Sequence, residues 1–564
     1  MPLHLPKSTT AFLAMFAVHS AAPRKAAFRA ACAALLCLAV SCAKDAQAEP
    51  RPDSRAGVRD PIASGVRLAR FRNDLLALYA PRAGRPLWIR DRTATPQARA
   101  VAEALRSAGD EGLRAADYDG SGWLERFENI GPLDEARTLL VDIDFSAAVM
   151  RYASDLAIGR VDPRTLGIDA APRERLPLAR IAADLATSDD VQGALRSLEP
   201  QLPVYRRVLL ALETYRFLES GAPAATLPDL RGTLQPGDPW PGVGPLSRLL
   251  RLLGDLPEEV EGSTRYEGPL VDAVVRFQRR HGLEPDGRIG KSTLAALRTP
   301  LRRRVEQLEL TLERIRWVPR ALPGIPLVVN VAGFRLIADG AGDAPRLDMK
   351  VVVGRAFRHE TPPLASEVRK VIFQPYWYVP RSILRNEILP ELKRHPDSFA
   401  NRGYEIVDGN GRVVARTAPT GALEAELRSG RLLLRQRPGP HNPLGPVKFV
   451  LPNRYQVYLH GTSATALFAR TRRDLSHGCI RVEDPLSLAS WVLRENPEWT
   501  RDRIAGAMQG TTTVTVDVKS RIPVLVVYAT AAVGPVGEVL FFDDVYRDDE
   551  ALRRALAPAS QPAG

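Results

Sequence analysis

The stretch "YQVYLHGTSATALFARTRRDLSHGCIRVEDP", Tyr455 to Pro485, joins three patterns in one run. Tyr455 to Leu459 alternates polar and apolar residues, the period-two signature of a strand, and ends at His460-Gly461. A polar, arginine-rich connection follows. Cys479 comes nineteen residues after His460, and a helical pattern occupies 485–495. Strand ends and the loops that feed helices are common places for catalytic groups. The order strand, loop, thiol, helix therefore predicts a β-rich domain with chemistry at its strand ends.

Working outward, the period of two extends over much of the C-terminal half. "IPLVVNVAGFRLIAD", "RLDMKVVVG", "EVRKVIFQPYWYVP" and "GPVKFVLPNRYQVYLHG" read as strands, and so do "TTTVTVDV", "PVLVVYATAAV" and "EVLFFDDVY". Helical spacing interrupts them in "RSILRNEILPELKRHP" and "DPLSLASWVLREN". Upstream the pattern is helical from about Leu68 to Leu218, as in "TPQARAVAEALRSAGDEGL" and "FSAAVMRYASDLAIG" with its closing Gly159. This region has no Cys or His and reads as scaffold. A Gly/Pro-rich linker, 221–244, leads to "GPLVDAVVRFQRRHGLEPDGRIGKSTLAALR". That piece predicts two short helices around an Asp286-Gly287 turn, with Ser292 or Thr293 capping the second and His281 closing the first.

With 564 residues the chain is too long for one core. At 45% hydrophobic and 25% charged it is expected to fold into several globular domains. Its net charge of +13 comes mostly from Arg. There is no basic run interleaved with aromatics and no nucleic-acid motif, so a nucleic-acid partner is not expected. The N-terminal "APRKAAFRAACAALLCLAVSCAKDAQAEP" has basic residues, a short apolar run and Ala46-Gln47-Ala48, the layout of a secretory leader cleaved after Ala48. Lipidation at Cys42 is the second reading, and translation from Met15 would give a leader of more usual length. No later segment is long and apolar enough to span a bilayer. Export to the periplasm is expected.

Four cysteines are present: Cys32, Cys37, Cys42 and Cys479. Three lie in the leader, so the exported chain keeps one. That excludes an internal disulfide and a multi-thiolate metal site. A thiol with an ordinary pKa of about 8.5 needs a base or a positive neighbour to act as a nucleophile. His460 and His477 are available. His477, two residues from Cys479, would point the same way in extended backbone. Gly478 lets the chain come close to a substrate, and the amides of Gly478 and Cys479 could donate to an oxyanion. Arg481 could hold a carboxylate. Each residue alone has an ordinary structural reading; two His-Gly pairs beside the one retained cysteine are less easily dismissed.

His460-Gly461, fourteen residues, then "SHGCIR" (476–481) resembles the signature of L,D-transpeptidases with the YkuD-type catalytic domain. "YWYVPRSI" (376–383), "RPGPHNPLGPVKFVLPN" (437–453) and the closing "FFDDVYRDDEAL" are similar to segments of the large periplasmic YcbB-type subgroup. Ala273, Val275, Phe277, Gln278, Gly282, Leu283, Asp286, Gly287, Ile289, Gly290, Thr293 and Leu297 resemble the peptidoglycan-binding helical module. The resemblance implies a multidomain α+β chain. Its expected parts are a leader at 1–48, a flexible start at 49–65 and a helical scaffold at 66–220. A three-helix peptidoglycan-binding module at 245–300 follows the linker. A mainly β, YkuD-like catalytic domain at 316–520 carries a helical capping insert at about 381–435. Strands and a helix at 521–555 complete the fold, before a disordered tail at 556–564.

The resemblance also implies the chemistry. Cys479 would be the nucleophile and His460 its base, oriented by the carbonyl of Gly461. Ser476, His477 and Gly478 would shape the site and oxyanion hole. Arg481 would support it or hold substrate. His477 is a supporting residue, since the subgroup tolerates Ser there. The substrates would be peptidoglycan stem peptides, with no cofactor and no metal, and carbapenems would acylate Cys479. The expected reaction is 3→3 cross-linking with release of D-Ala. Hydrolysis as an L,D-carboxypeptidase, D-amino-acid exchange or lipoprotein attachment would use the same thioester. A silent wall-anchoring protein is the non-enzyme alternative.

Overall fold

The computed structural model describes residues 70–557 except 132, 171–172, 222–225, 258–263 and 341–343. The leader with Cys32, Cys37 and Cys42, the flexible start and the tail beyond 557 lie outside the described residues. The protein is a multidomain α+β chain with a helical N-terminal region, a three-helix module and a mainly β C-terminal domain. Among the described residues no helix is long and apolar enough to cross a membrane.

Two compact units emerge. The first contains the chain up to Ser107, with 114–154 and 176–197. Its core is aromatic: Phe145 meets the edges of Trp88 and Trp123 at 5.2 and 4.9 Å. Buried Asp142 accepts hydrogen bonds from the amides of Leu87, Trp88 and Ile89 and from Tyr79 Oη. This satisfies a turn that would otherwise bury bare N–H groups.

The second unit holds 108–113, 155–175 and the chain from Leu198 onward. Helices Val243–Leu252, Pro269–Arg280 and Lys291–Leu297 form the module, packed on Trp240, Tyr266 and Phe277. Its turn is held from within by Gln278. That buried amide accepts from Gly287 N–H and donates to the Arg288 carbonyl, at 2.9 and 2.8 Å. Gly287 has φ +69°, and a Cβ there would press on Val271 Cγ1 at 2.8 Å, so glycine is required twice over. His281 caps its helix as expected, with Nδ1 2.8 Å from the Phe277 carbonyl. The expected Ser292 or Thr293 cap does not form. Gly290 is the N-cap, and Thr293 is buried against Gln278.

Helix Leu301–Ile315 leads from the module to nine strands: β1 Leu327–Asn330, β2 Arg335–Ala338, β3 Leu347–Gly354, β4 Leu364–Phe373, β5 Val447–Val450, β6 Leu459–His460, β7 Asp474–Ser476, β8 Ile480–Val482 and β9 Val514–Val527. Their order is β7-β3-β8-β6-β5-β4-β9-β1-β2, and β2 also pairs with β3. The sheet thus closes on itself and leaves few free edges. β6–β8, β7–β3 and β9–β1 are parallel and the other pairs antiparallel. The barrel-like core includes Val329, Val353, Val371, Phe449, Leu459 and Ile480.

Three expectations need correction here. The strand foreseen from Tyr455 is only Leu459–His460, because Gln456 takes φ +56° and turns the chain. The boundary placed at 520 falls inside β9, which runs through a register shift between Asp517 and Ile522. The capping insert is not simply helical. Strands Trp377–Tyr378, Tyr404–Val407, Val413–Ala415 and Leu433–Gln436 make a four-stranded antiparallel sheet. Leu389, Phe399, Ile406 and Leu434 pack in its separate core. Its first helix passes through a π turn at Leu384–Ile388, just ahead of Pro390, which has no N–H to continue regular pairing.

Candidate active site

The strand register builds the site. β5 and β6 place Lys448 opposite His460, and β6 and β8 place His460 opposite Arg481. Alternation sends Phe449, Leu459, Ile480 and Val482 into the core. Lys448, Tyr458, His460, Cys479 and Arg481 therefore share the other face. Cys479, one residue before β8, is half-buried and the free thiol among the described residues.

His460 is fully buried, and its Nδ1 lies 2.5 Å from the Gly461 carbonyl. That contact makes Nδ1 the protonated nitrogen and leaves Nε2 as the acceptor. Burial, then the charge of Arg481, pushes the imidazole pKa down to about 3, against the pull of the Gly461 carbonyl. His460 is therefore neutral at pH 7. Burial pushes the Cys479 thiol up, against the Tyr458 backbone, Lys448 and Arg481. The resting pair is neutral thiol and neutral imidazole. Cys479 Sγ lies 3.7 Å from the Gln456 carbonyl, and no hydrogen bond joins it to His460 in this arrangement. Catalytic contacts of this kind often tighten only when substrate binds. Gln456 holds its carbonyl there from a left-handed backbone, a conformation that costs about 1 kcal/mol or more in a non-glycine residue.

The "SHGC" turn is tightly laced. Ser476 Oγ donates to the Cys479 carbonyl at 2.6 Å and accepts from Gly478 N–H at 3.1 Å. Thr361 Oγ1 donates to the Gly478 carbonyl at 2.8 Å. In this arrangement the Gly478 amide, expected at the oxyanion, is engaged by its neighbour. Gly478 has φ +108°, which breaks the extended backbone assumed for 477–479. His477 has a partner of its own. Its Nε2 meets Glu387 Oε1 of the capping insert at 2.7 Å, and its ring lies 4.8 Å from that of His359.

A cavity of about 520 Å³ reaches Cys479, His477 and Gly478 from the side of Tyr455 and Gln456. Leu166, Asp169, Trp317, Pro362 and Asp548 also line it. Buried Glu313 helps to place that wall by accepting from the amides of Arg160 and Val161 at 2.6 and 2.9 Å. Among the described residues no three His, Cys, Asp or Glu side chains converge to hold a metal.

Residues 327–518 match the family described as "L,D-transpeptidase catalytic domain" (YkuD). The chain carries a YkuD L,D-transpeptidase catalytic domain. Upstream of this YkuD domain, residues 241–297 match a "Putative peptidoglycan binding domain" and residues 73–212 a "Scaffold domain". A Haemophilus influenzae protein named "Putative L,D-transpeptidase" is 30% identical over 251 residues, 44% of this chain and 49% of that protein. The chain thus spans about half the length of this curated relative. An L,D-transpeptidase structure (residues 123–326) from Xylanimonas cellulosilytica is 17% identical, over 53% of this chain and all of that one, with a TM-score of 0.17, too low to bear on the fold.

Sequence reading singled out Cys479, His460, Gly461, Ser476, His477, Gly478 and Arg481, and the YkuD domain gathers all of them at adjacent strand ends and one loop. It missed Lys448, Tyr458, Gln456, Thr361 and Glu387. Lys448 and Tyr458 were accessible in principle, as the polar members of alternating strands. Thr361 and Glu387 reach the site through the fold and left no local signal.

Proposed function

We propose that the protein is an exported, cysteine-dependent L,D-transpeptidase that forms 3→3 cross-links in peptidoglycan. One observation carries this reading: Cys479 and His460, whose Nδ1 meets the Gly461 carbonyl, share the polar face of a closed sheet within the YkuD domain. The matched peptidoglycan-binding domain upstream supports a wall-polymer substrate. The leader-like N-terminus supports a periplasmic location.

In this mechanism His460 Nε2 takes the thiol proton as Sγ attacks the carbonyl joining residue 3 of a tetrapeptide stem to its terminal D-Ala. The tetrahedral oxyanion collapses, the C–N bond breaks, and His460 returns the proton to the departing D-Ala amine. The side-chain amine of a diamino acid on a second stem then attacks the thioester. It gives its proton to His460, and the released thiolate recovers it. A water attacking the same thioester would give L,D-carboxypeptidase activity. D-amino-acid exchange or lipoprotein attachment would differ only in the attacking amine.

Muropeptide mass spectrometry after incubation with disaccharide-tetrapeptides tests the reading. Dimers linked 3→3, absent with Cys479→Ala, are expected. Tripeptide monomers alone would assign hydrolysis, and unchanged muropeptides would leave wall anchoring. Carbapenem acylation is expected as a mass shift that Cys479→Ala abolishes.

A further inference from the structure

Fully buried Thr361 ties the "SHGC" turn to two tyrosines near the C-terminus. Its Oγ1 accepts from Gly354 N–H and donates to the Gly478 carbonyl, both at 2.8 Å. The one hydrogen of that hydroxyl is therefore committed to the turn. The N–H of Thr361 donates to Tyr546 Oη at 3.3 Å, and Tyr546 Oη donates to the Gly354 carbonyl. Tyr546 N–H donates in turn to Tyr528 Oη at 2.9 Å, and Tyr528 Oη to Asp544 at 2.7 Å. Both tyrosines are buried, and both lie beyond residue 518, where the match to the catalytic domain ends. Thr361, Tyr528 and Tyr546 all line the cavity that reaches Cys479.

A peptide unit is planar and trans, so its N–H points opposite to its C=O. Holding the Gly478 carbonyl therefore also aims the N–H of Cys479, which belongs to the same unit. That N–H has no hydrogen-bond partner among the described residues, whereas Gly478 N–H is taken by Ser476 Oγ. An unengaged amide on the nucleophile itself is a common oxyanion donor. When Sγ adds to a carbonyl carbon, the π electrons of the C=O bond move to oxygen, and the oxyanion stands two bonds from sulfur. A donor helps most when it is aimed in advance. Gly478, with φ +108° and no side chain, does not fix its own peptide plane, so the restraint has to come from outside the turn.

We propose that Thr361 is a positioning residue for acyl transfer: its hydroxyl sets the Gly478–Cys479 peptide plane, and with it the oxyanion donor, while Tyr546 holds Thr361 in place. The segment beyond the matched domain thereby takes part in catalysis. This rests on the transpeptidase reading above. Two reactions of the same thiol separate this role from a merely structural one. Acylation passes through an oxyanion. Alkylation by iodoacetamide forms a C–S bond at a saturated carbon and expels iodide, with no oxyanion.

The test uses the full chain and follows Cys479 by intact mass with a tetrapeptide stem, 4-nitrophenyl acetate and iodoacetamide. Loss of an oxyanion donor costs about 10²–10³-fold, so misaiming one through Thr361→Val should slow acylation by both acyl donors by at least about tenfold. KM for the stem and the alkylation rate should stay within about twofold of the parent. Thr361→Ser keeps the hydroxyl and should restore most of the acylation rate. Tyr546→Phe keeps the ring and should slow acylation in the same selective way. Parent-like acylation by Thr361→Val, or equal slowing of acylation and alkylation, would overturn the proposal. If Thr361→Val does not fold, Tyr546→Phe decides alone, and parent-like acylation by it overturns the proposal. A stem that leaves the parent unmodified while the ester acylates it would instead refute the transpeptidase reading, and the ester would still test Thr361.

Discussion

His460 stands opposite Arg481 across the parallel strands β6 and β8, and Cys479 lies two residues before Arg481 on the same face. The base is thus held beside a guanidinium, inside the fold, where it cannot carry a proton at rest. A neutral imidazole is the form that can accept the thiol proton. The fold supplies this form through burial and through the Gly461 carbonyl.

His460→Gln keeps a polar side chain but removes the base. Acylation of Cys479 by a tetrapeptide donor is expected to slow by about 10²- to 10⁴-fold, the usual contribution of a positioned base. Intact-mass time courses measure this, and near-ultraviolet circular dichroism checks that the fold is kept. A loss under tenfold would mean that another group takes the proton.

The pH dependence follows from the two shifts. Burial raises the thiol above the ordinary cysteine range, and His460 at about 3 does not titrate between pH 5 and 8. Iodoacetamide alkylation of Cys479 should therefore rise with pH to a midpoint above that of a free cysteine peptide measured alongside. It should show no inflection near the ordinary histidine pKa of about 6.5. A thiolate already formed at neutral pH would contradict the first shift, and an inflection near 6.5 would contradict the second.

Two glycines near the site should respond differently to alanine. Gly445 has φ +62°, and a Cβ there would meet Thr462 N at 2.4 Å and Gly461 C at 2.8 Å. Backbone atoms cannot step aside, so Gly445→Ala must displace the segment that orients His460. It is expected to cost about 2–4 kcal/mol and most of the activity. At Gly478 the nearest atom to a Cβ is 3.7 Å away, and only the φ of +108° resists substitution. Gly478→Ala should cost about 1–3 kcal/mol, with the smaller fall in melting temperature.

Much of this was legible in the sequence, and the failures share a cause. The period-two runs located the main strands, and the Gln278 and Asp286-Gly287 pattern located the module's turn. Both are local signals. His460 and Cys479 were legible because each sits in a short motif at a strand end. The turn at Gly478 was not legible, because a left-handed φ is a dihedral angle and pattern carries none. The sheet of the capping insert was missed because strands such as Tyr404–Val407 are four residues or fewer, too short for alternation to show. Glu387 at His477 is a contact across 90 residues that no spacing rule could find.

That contact yields a prediction of its own. The pair is exposed on both sides, so it should add only about 0–1 kcal/mol to global stability. It is nevertheless the link between the "SHGC" turn and the first helix of the insert. His477→Ala should leave the melting temperature nearly unchanged and speed amide exchange in 381–394 by up to about fivefold. Unchanged exchange there would show that the insert is held by its own packing.

Asp548 gives the last prediction. It lines the cavity that reaches Cys479. Burial raises its carboxyl to about 6; Arg314 opposes the shift, and Glu360, Asp544 and Asp549 add to it. In the unfolded chain an aspartate titrates near 3.9. Between about pH 4 and 6 the folded protein therefore holds more protons than the unfolded one. Its stability from this group is complete below the unfolded value and is lost as pH rises through the folded one. Asp548→Asn has no such proton to lose. The stability of the variant relative to the parent should rise from pH 4 to pH 7 by on the order of 1–2 kcal/mol. Denaturant midpoints at the two pH values measure the difference, and a difference that is flat or falls with pH would show that Asp548 is already ionised in the folded protein at pH 4.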